Sequence, residues 1–127
     1  GRLVMVRQYL NALDRYTLEI PAGGLDGPDE PTKDAAAREL TEETGYTAEK
    51  LEFLLSVRTT VAFCNEKIDI YVATGLKPGK QHLDEDEYVD VKAYDLEELV
   101  QKILTGEIQD SKTVSAILAY KEKYVNR

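Results

Sequence analysis

Apolar and polar positions alternate along this chain in a way that divides it into strands and helices. Leu3 to Tyr9 is rich in β-formers and reads as a strand, and Tyr16 to Ile20 as a second. Pro21-Ala22-Gly23-Gly24 interrupts the pattern; a loop through Gly27-Pro28 follows, and Pro31 suits the first turn of a helix. Lys33 to Thr44 is the clearest helical run, because Ala35-Ala36-Ala37, Leu40 and several Glu are strong helix formers. Gly45 then stands where a C-cap glycine belongs. Leu51 to Val57 and Lys67 to Ala73 read as strands, Pro78-Gly79 as a turn, and Tyr88 to Tyr94 as a shorter alternating strand. Leu96 to Leu104 and Lys112 to Tyr124 carry apolar residues at a spacing of about 3.6, as amphipathic helices do. No repeat, low-complexity tract or linker separates these elements. The pattern predicts one α/β domain over 1–127, with one internal helix and two C-terminal helices.

Composition narrows the function. With 127 residues, 43% of them hydrophobic and 31% charged, the chain is long and apolar enough to bury a core without staples. Cys64 and His82 are its single cysteine and single histidine, so neither an internal disulfide framework nor a Cys/His zinc site is available. No apolar run approaches the ~20 residues of a membrane span, and no signal peptide is visible. A cytoplasmic, soluble protein without a membrane partner is expected. A net charge of −8 argues against a grip on nucleic acid, but not against a small phosphorylated ligand held through a divalent metal. The chain opens Gly1-Arg2 directly into a strand, without an initiator Met, so the expected N-terminal segment is taken to be missing.

The chemistry is expected where local design rules are broken. Glu39, Glu42 and Glu43 stand at i, i+3 and i+4, so three carboxylates crowd one stripe of one helix, where like charges destabilise it. Glu43 also lies near the C-terminal end, where the helix dipole disfavours anions. Arg38 neutralises only part of this charge. Alone, such a stripe reads as a solvated face; as a set of hard oxygens it suits Mg²⁺ or Mn²⁺. The Gly23-Gly24 turn before it lets backbone approach a phosphate or metal closely. Glu30 lies where it can pair with Arg38 and hold the loop.

Gly24, five residues, Glu30, seven residues, Arg38-Glu39-Leu40, one residue, Glu42-Glu43, one residue, Gly45-Tyr46: this spacing resembles the Nudix box. The resemblance implies an α/β/α sandwich around a mixed β-sheet. It also implies hydrolysis of the pyrophosphate bond in a nucleoside diphosphate linked to another moiety, with Mg²⁺ or Mn²⁺. Carried onto these residues, it makes Glu39 and Glu43 principal metal ligands, Glu42 a further ligand, and the Gly23 carbonyl a backbone ligand. Gly24, Glu30, Arg38 and Gly45 become the structural part of the box. Tyr46 occupies a position usually held by an aliphatic residue.

Leu18-Glu19-Ile20-Pro21-Ala22-Gly23, Val6-Arg7-Gln8-Tyr9 and Phe63-Cys64-Asn65-Glu66-Lys67-Ile68 resemble the ADP-ribose pyrophosphatase branch, which implies ADP-ribose or a nucleotide sugar as substrate. AMP (or another nucleoside monophosphate) and a sugar phosphate are then the products, and a homodimer the assembly. Two positions depart from that branch: Leu10 replaces an arginine, and Thr60-Val61-Ala62 lacks a proline. Arg7, Arg15 and Arg58 are the candidate cations for a substrate phosphate. The run Asp84-Glu85-Asp86-Glu87 corresponds to a loop that supplies a general base in that branch, with Glu85 favoured and Glu87 next. His82 is read as exposed and idle, Cys64 as a packing residue. The alternatives are a nucleoside triphosphate pyrophosphohydrolase and a non-catalytic nucleotide-sensing Nudix-like domain. Retention of Glu39, Glu42 and Glu43 argues against the latter.

Overall fold

The computed structural model describes residues 2–10, 15–61, 64–83 and 89–126, with side chains described except at positions 9, 10, 15, 60, 61, 64 and 65. The order is β1 (Arg2–Leu10), β2 (Arg15–Glu19), α1 (Thr32–Thr44), β3 (Thr47–Val61), β4 (Cys64–Lys77), β5 (Val89–Asp95), α2 (Leu96–Leu104) and α3 (Ser111–Tyr120). A π-helical turn, Lys121–Val125, continues α3, so the helix expected over Lys112 to Tyr124, the second of the two C-terminal ones, changes its winding before Tyr124.

The α/β class is borne out. Among the described residues the strands divide between two sheets, β2-β1-β5 and β3-β4. Every described ladder is antiparallel. Chain connectivity gives the reason for two of the three ladders: only short connections separate β1 from β2 and β3 from β4, and such connections return a strand antiparallel to its neighbour. The β3–β4 hairpin runs far beyond the apolar segments Leu51–Val57 and Lys67–Ala73. Polar stretches such as Thr47–Lys50 join the ladder because each strand satisfies the other's backbone groups.

Met5, Leu96, Leu99, Val100, Ile108 and Ile117 form the main buried cluster, with Leu3, Leu18, Ile20 and Tyr94 packed on it. Sheet β2-β1-β5 therefore lies against α2 and α3. Helix α1 touches β3 and β4 instead, burying Ala35 and Leu40, while Ile70 is buried on β4. Between these halves runs a cleft of about 630 Å³, lined by Met5, Ile20, Leu40, Ile68 and Ile117 among others. Gly23 and Glu39 stand in its wall. Among the described residues, no helix is long and apolar enough to cross a membrane.

Candidate functional site

Helix α1 starts at Thr32, whose hydroxyl lies 2.8 Å from Asp69 Oδ2 and 2.7 Å from the Tyr71 hydroxyl, so its first turn is fastened to β4. Ser56 also donates to Asp69, and these hydrogen bonds hold the Asp69 carboxyl below the usual carboxylate range. The helix ends at Gly45, in the left-handed conformation at φ 81°, with its N–H donating to Thr41 O at 2.8 Å. A Cβ at Gly45 would overlap the Gly79 carbonyl, so glycine is required here twice over, by conformation and by contact.

The next layer of the site is Arg38. Its guanidinium donates to Glu30 Oε1 at 3.1 Å, Gly24 O at 2.8 Å, Glu39 Oε1 at 2.8 Å and Glu42 Oε2 at 3.3 Å. Asp26 adds an ion pair at 3.1 Å. Glu30 in turn accepts from the Asp26 N–H at 2.7 Å. One cation thus fastens the loop of residues 24–30 to the acidic face of α1, as expected for Glu30 and Arg38. The hydrogen bond to Glu30 raises the Arg38 pKa, and the bond from Arg38 lowers that of Glu30.

The carboxylates themselves differ. Glu39 is mostly buried, its side chain 16% exposed, and Glu42 is 41% exposed. Burial raises the Glu39 carboxyl above its ordinary range, more than the Arg38 contact lowers it. Glu43 accepts the Ala22 N–H at 3.1 Å. Gly23 stands so close to Glu39 that a Cβ would fall onto the Glu39 carboxyl group. Pro21–Gly24 and the stripe of α1 are therefore in direct contact. Among the described residues no three Asp, Glu, His or Cys side chains converge on one point. Arg38 draws Glu39 and Glu42 to itself, while Glu43 turns to Ala22. Glu39 and Glu43 meet the Pro21–Gly24 backbone, and the three carboxylates of the stripe are hard oxygens, the kind that suits Mg²⁺ or Mn²⁺.

The other expected residues fall elsewhere. Arg7 faces Asp90 across the β1–β5 ladder, bonds it at 3.0 Å, and lies 4.6 Å from the Tyr16 ring centroid. Arg58 is an exposed residue of β3 opposite Lys67. Neither lines the cleft that holds Gly23 and Glu39. The side chain of Arg15 and all of Glu85 and Glu87 lie outside the described residues, as do Phe63 and the side chain of Cys64. The described residues do show the segment that precedes the acidic run in sequence. His82 N–H donates to Glu42 O at 2.8 Å, and Gln81 Nε2 to Glu43 O at 2.5 Å. The segment leading into Asp84–Glu87 is thus docked on the C-terminal end of α1, where helix carbonyls lack intrahelical partners. His82 itself is exposed, as expected.

The family model described as "NUDIX domain" matches residues 1–117. The chain belongs to the Nudix family. A solved structure, "Crystal structure of ADP compounds hydrolase", superposes on this Nudix chain with a TM-score of 0.83 at 29% identity, covering 95% of this chain and 65% of that one. The chain is also 46% identical over 119 residues to the methanol dehydrogenase activator of Bacillus methanolicus. It is 40% identical over 119 residues to the ADP-ribose pyrophosphatase of Bacillus subtilis (strain 168). Each alignment covers 92% of this chain and 64% of the relative, so the chain spans somewhat less than two thirds of their length.

Sequence reasoning missed Gln81, Thr113, Asp110 and Lys112. Asp110 three residues before Thr113 is a legible helix N-cap. The contact of Thr113 with Ile20 spans 93 positions, and no local pattern announces it.

Proposed function

We propose that this chain carries out metal-dependent hydrolysis of the pyrophosphate bond in a nucleoside diphosphate linked to another moiety, ADP-ribose foremost. The observation that carries this reading is the Glu39 carboxylate seated against the Gly23 backbone, beside Glu43 on Ala22, with Arg38 fastening both elements. The names of two relatives, ADP-ribose pyrophosphatase and ADP compounds hydrolase, support the substrate class.

In this reading Glu39, Glu43 and the Gly23 carbonyl hold the divalent cation, and Glu42 is a further ligand. When bound, Mg²⁺ or Mn²⁺ supplies Lewis acidity toward the phosphate oxygens. Arg38 keeps the Gly24 backbone and the α1 carboxylates in register. Water adds across the P–O–P link, giving AMP and a sugar phosphate, and a carboxylate of the acidic run accepts its proton. Glu85 takes that role, with Glu87 next; the docking of Gln81 and His82 on α1 supports bringing that run to the site. Of the three candidate cations for the substrate phosphates, Arg15 is the one offered here, because Arg7 is engaged by Asp90 and neither Arg7 nor Arg58 lines the cleft that holds Gly23 and Glu39. A cytoplasmic homodimer completes the proposal.

The test is turnover by the purified chain with Mg²⁺ or Mn²⁺ against ADP-ribose, nucleotide sugars, dinucleoside polyphosphates and triphosphates, with product identification. AMP and ribose phosphate from ADP-ribose are expected. Cleavage confined to triphosphates would replace the substrate class, and metal-independent turnover would remove the α1 stripe from the chemistry. For the general base, Glu85→Gln should lower turnover by ~10²-fold or more and lose less at high pH, with Glu87→Gln much milder. Full activity in both and in the double variant would remove the loop from the mechanism.

A further inference from the structure

Thr113 is fully buried in an otherwise apolar core, on the first turn of α3. Its hydroxyl is engaged on both sides. Oγ1 accepts the Ile20 N–H at 3.1 Å and donates to Asp110 Oδ2 at 2.7 Å. Asp110 also accepts the Thr113 N–H at 3.1 Å, capping α3. Lys112 joins the group to β2, donating to Asp110 Oδ2 at 2.9 Å and to Glu19 Oε1 at 2.7 Å. Burial pushes the Asp110 carboxyl up, and the bonds from Thr113 and Lys112 outweigh it, so Asp110 titrates below its ordinary range. An ionised Asp110 only accepts, which fixes the direction of the Thr113 hydroxyl and leaves its lone pairs to Ile20.

The backbone at Ile20 has just left the sheet. Its pairing with β1 runs from Arg15 to Glu19 and stops there. Pro21 has no N–H and a restricted φ. Ala22 N–H goes to Glu43, and Gly23 lies on Glu39. The Ile20 N–H, accepted by Thr113, therefore holds the strand exit immediately beyond the end of the ladder. Gly23 follows it by three residues, a reach of about 10 Å with one rigid link, so a shift at Ile20 is transmitted to Gly23.

We propose that Thr113, oriented by Asp110, is a positioning residue that sets how the Gly23 backbone meets the α1 carboxylates and thereby tunes divalent-cation affinity. This rests on the reading of Gly23, Glu39 and Glu43 as the cation's donors. A purely packing role would affect stability alone.

The test uses the intact chain and Mn²⁺, its binding read from the Mn²⁺ electron paramagnetic resonance signal and the Ile20 amide from hydrogen exchange. Thr113→Val keeps the shape and removes the hydroxyl; Thr113→Ser keeps the hydroxyl. Thr113→Val is expected to weaken Mn²⁺ binding about tenfold and to lose Ile20 protection, with Thr113→Ser restoring both to within about twofold. A folded Thr113→Val with Mn²⁺ affinity within about twofold of wild type overturns the proposal. Asp110→Asn provides a second reading should Thr113→Val not fold, since it leaves an acceptor but no charge. It should weaken Mn²⁺ several-fold, and unchanged affinity overturns the proposal equally, whatever the Ile20 protection. Glu43→Gln separates the two layers. If Mn²⁺ binding falls in Glu43→Gln and not in the Thr113 and Asp110 variants, only the positioning role fails. If Glu43→Gln binds Mn²⁺ like wild type, the ligand assignment fails and the positioning role with it.

Discussion

Helices α1 and α2 solve opposite problems. In α2, Glu97 and Glu98 occupy the first turn and Lys102 the last, so each charge complements the helix dipole. Its apolar stripe, Leu96, Leu99 and Val100, is buried in the main cluster. In α1 the last turn holds no basic residue, and Glu39, Glu42 and Glu43 crowd one stripe. Its buried residues are Ala35, Leu40 and Thr44, mostly small, and the helix is tethered by Arg38, by Asp69 and by the Gln81–His82 segment. One helix is placed by its own pattern. The other is held against its pattern by neighbours, which is what a helix that presents charge to a ligand requires.

The contrast breaks first at Glu43. Glu43→Gln should leave the fold intact and lower turnover about a thousandfold, or ~4 kcal/mol of transition-state stabilisation. Steady-state kinetics with saturating Mg²⁺ checks it, and a loss under about tenfold would return α1 to an ordinary solvated helix. Leu99→Ala is the converse case in α2. It removes a side chain with no exposure and should cost about 3 kcal/mol in urea unfolding, while turnover per folded molecule stays at wild type.

Glu39→Gln sharpens the comparison through its sign. The Glu39 pKa is raised above 4.5 by burial, so the protonated form is favoured on folding. Its stabilising effect is present below pH 4.5 and lost as pH rises through the folded value. A permanently neutral Gln should therefore melt higher than wild type at pH 7 without metal, and the two should converge at acid pH. Removing one charge from the stripe adds roughly 0.5 kcal/mol from relieved i,i+3 and i,i+4 repulsion. The same variant should lose most of the rise in melting temperature that Mg²⁺ or Mn²⁺ gives the wild type. A lower melting temperature for Glu39→Gln would mean that the Arg38 contact, not burial, governs Glu39. The smallest effect belongs to Lys102→Ala, which removes a dipole-complementing charge and its 3.1 Å contact with Glu107. About 0.3 kcal/mol should be lost, with no change in activity.

Much of this was legible in the chain. Leu96 to Leu104 was bounded to the residue, because a short amphipathic helix carries its whole signal in its own periodicity. The α1 stripe, the C-cap at Gly45 and the Glu30–Arg38 tie were legible for the same reason: each rests on spacing within one segment. The hairpin was underestimated, since Thr47–Lys50 and Arg58–Thr60 pair by backbone, and backbone pairing leaves no mark in a polar sequence.

What the residues alone determined is the set of chemical groups and their order: three carboxylates on one helical face, glycines before them, an arginine to bind the two. Tertiary structure decided which backbone meets that face. It seated Gly23 on Glu39, turned Glu43 to Ala22, engaged Arg7 with Asp90, and docked Gln81 and His82 on the helix end. It also placed the Thr113 hydroxyl under Ile20, across 93 positions. Such contacts depend on how the two halves close around a shared core. Local propensity and periodicity act over only a few residues, so they hold no information about that closure.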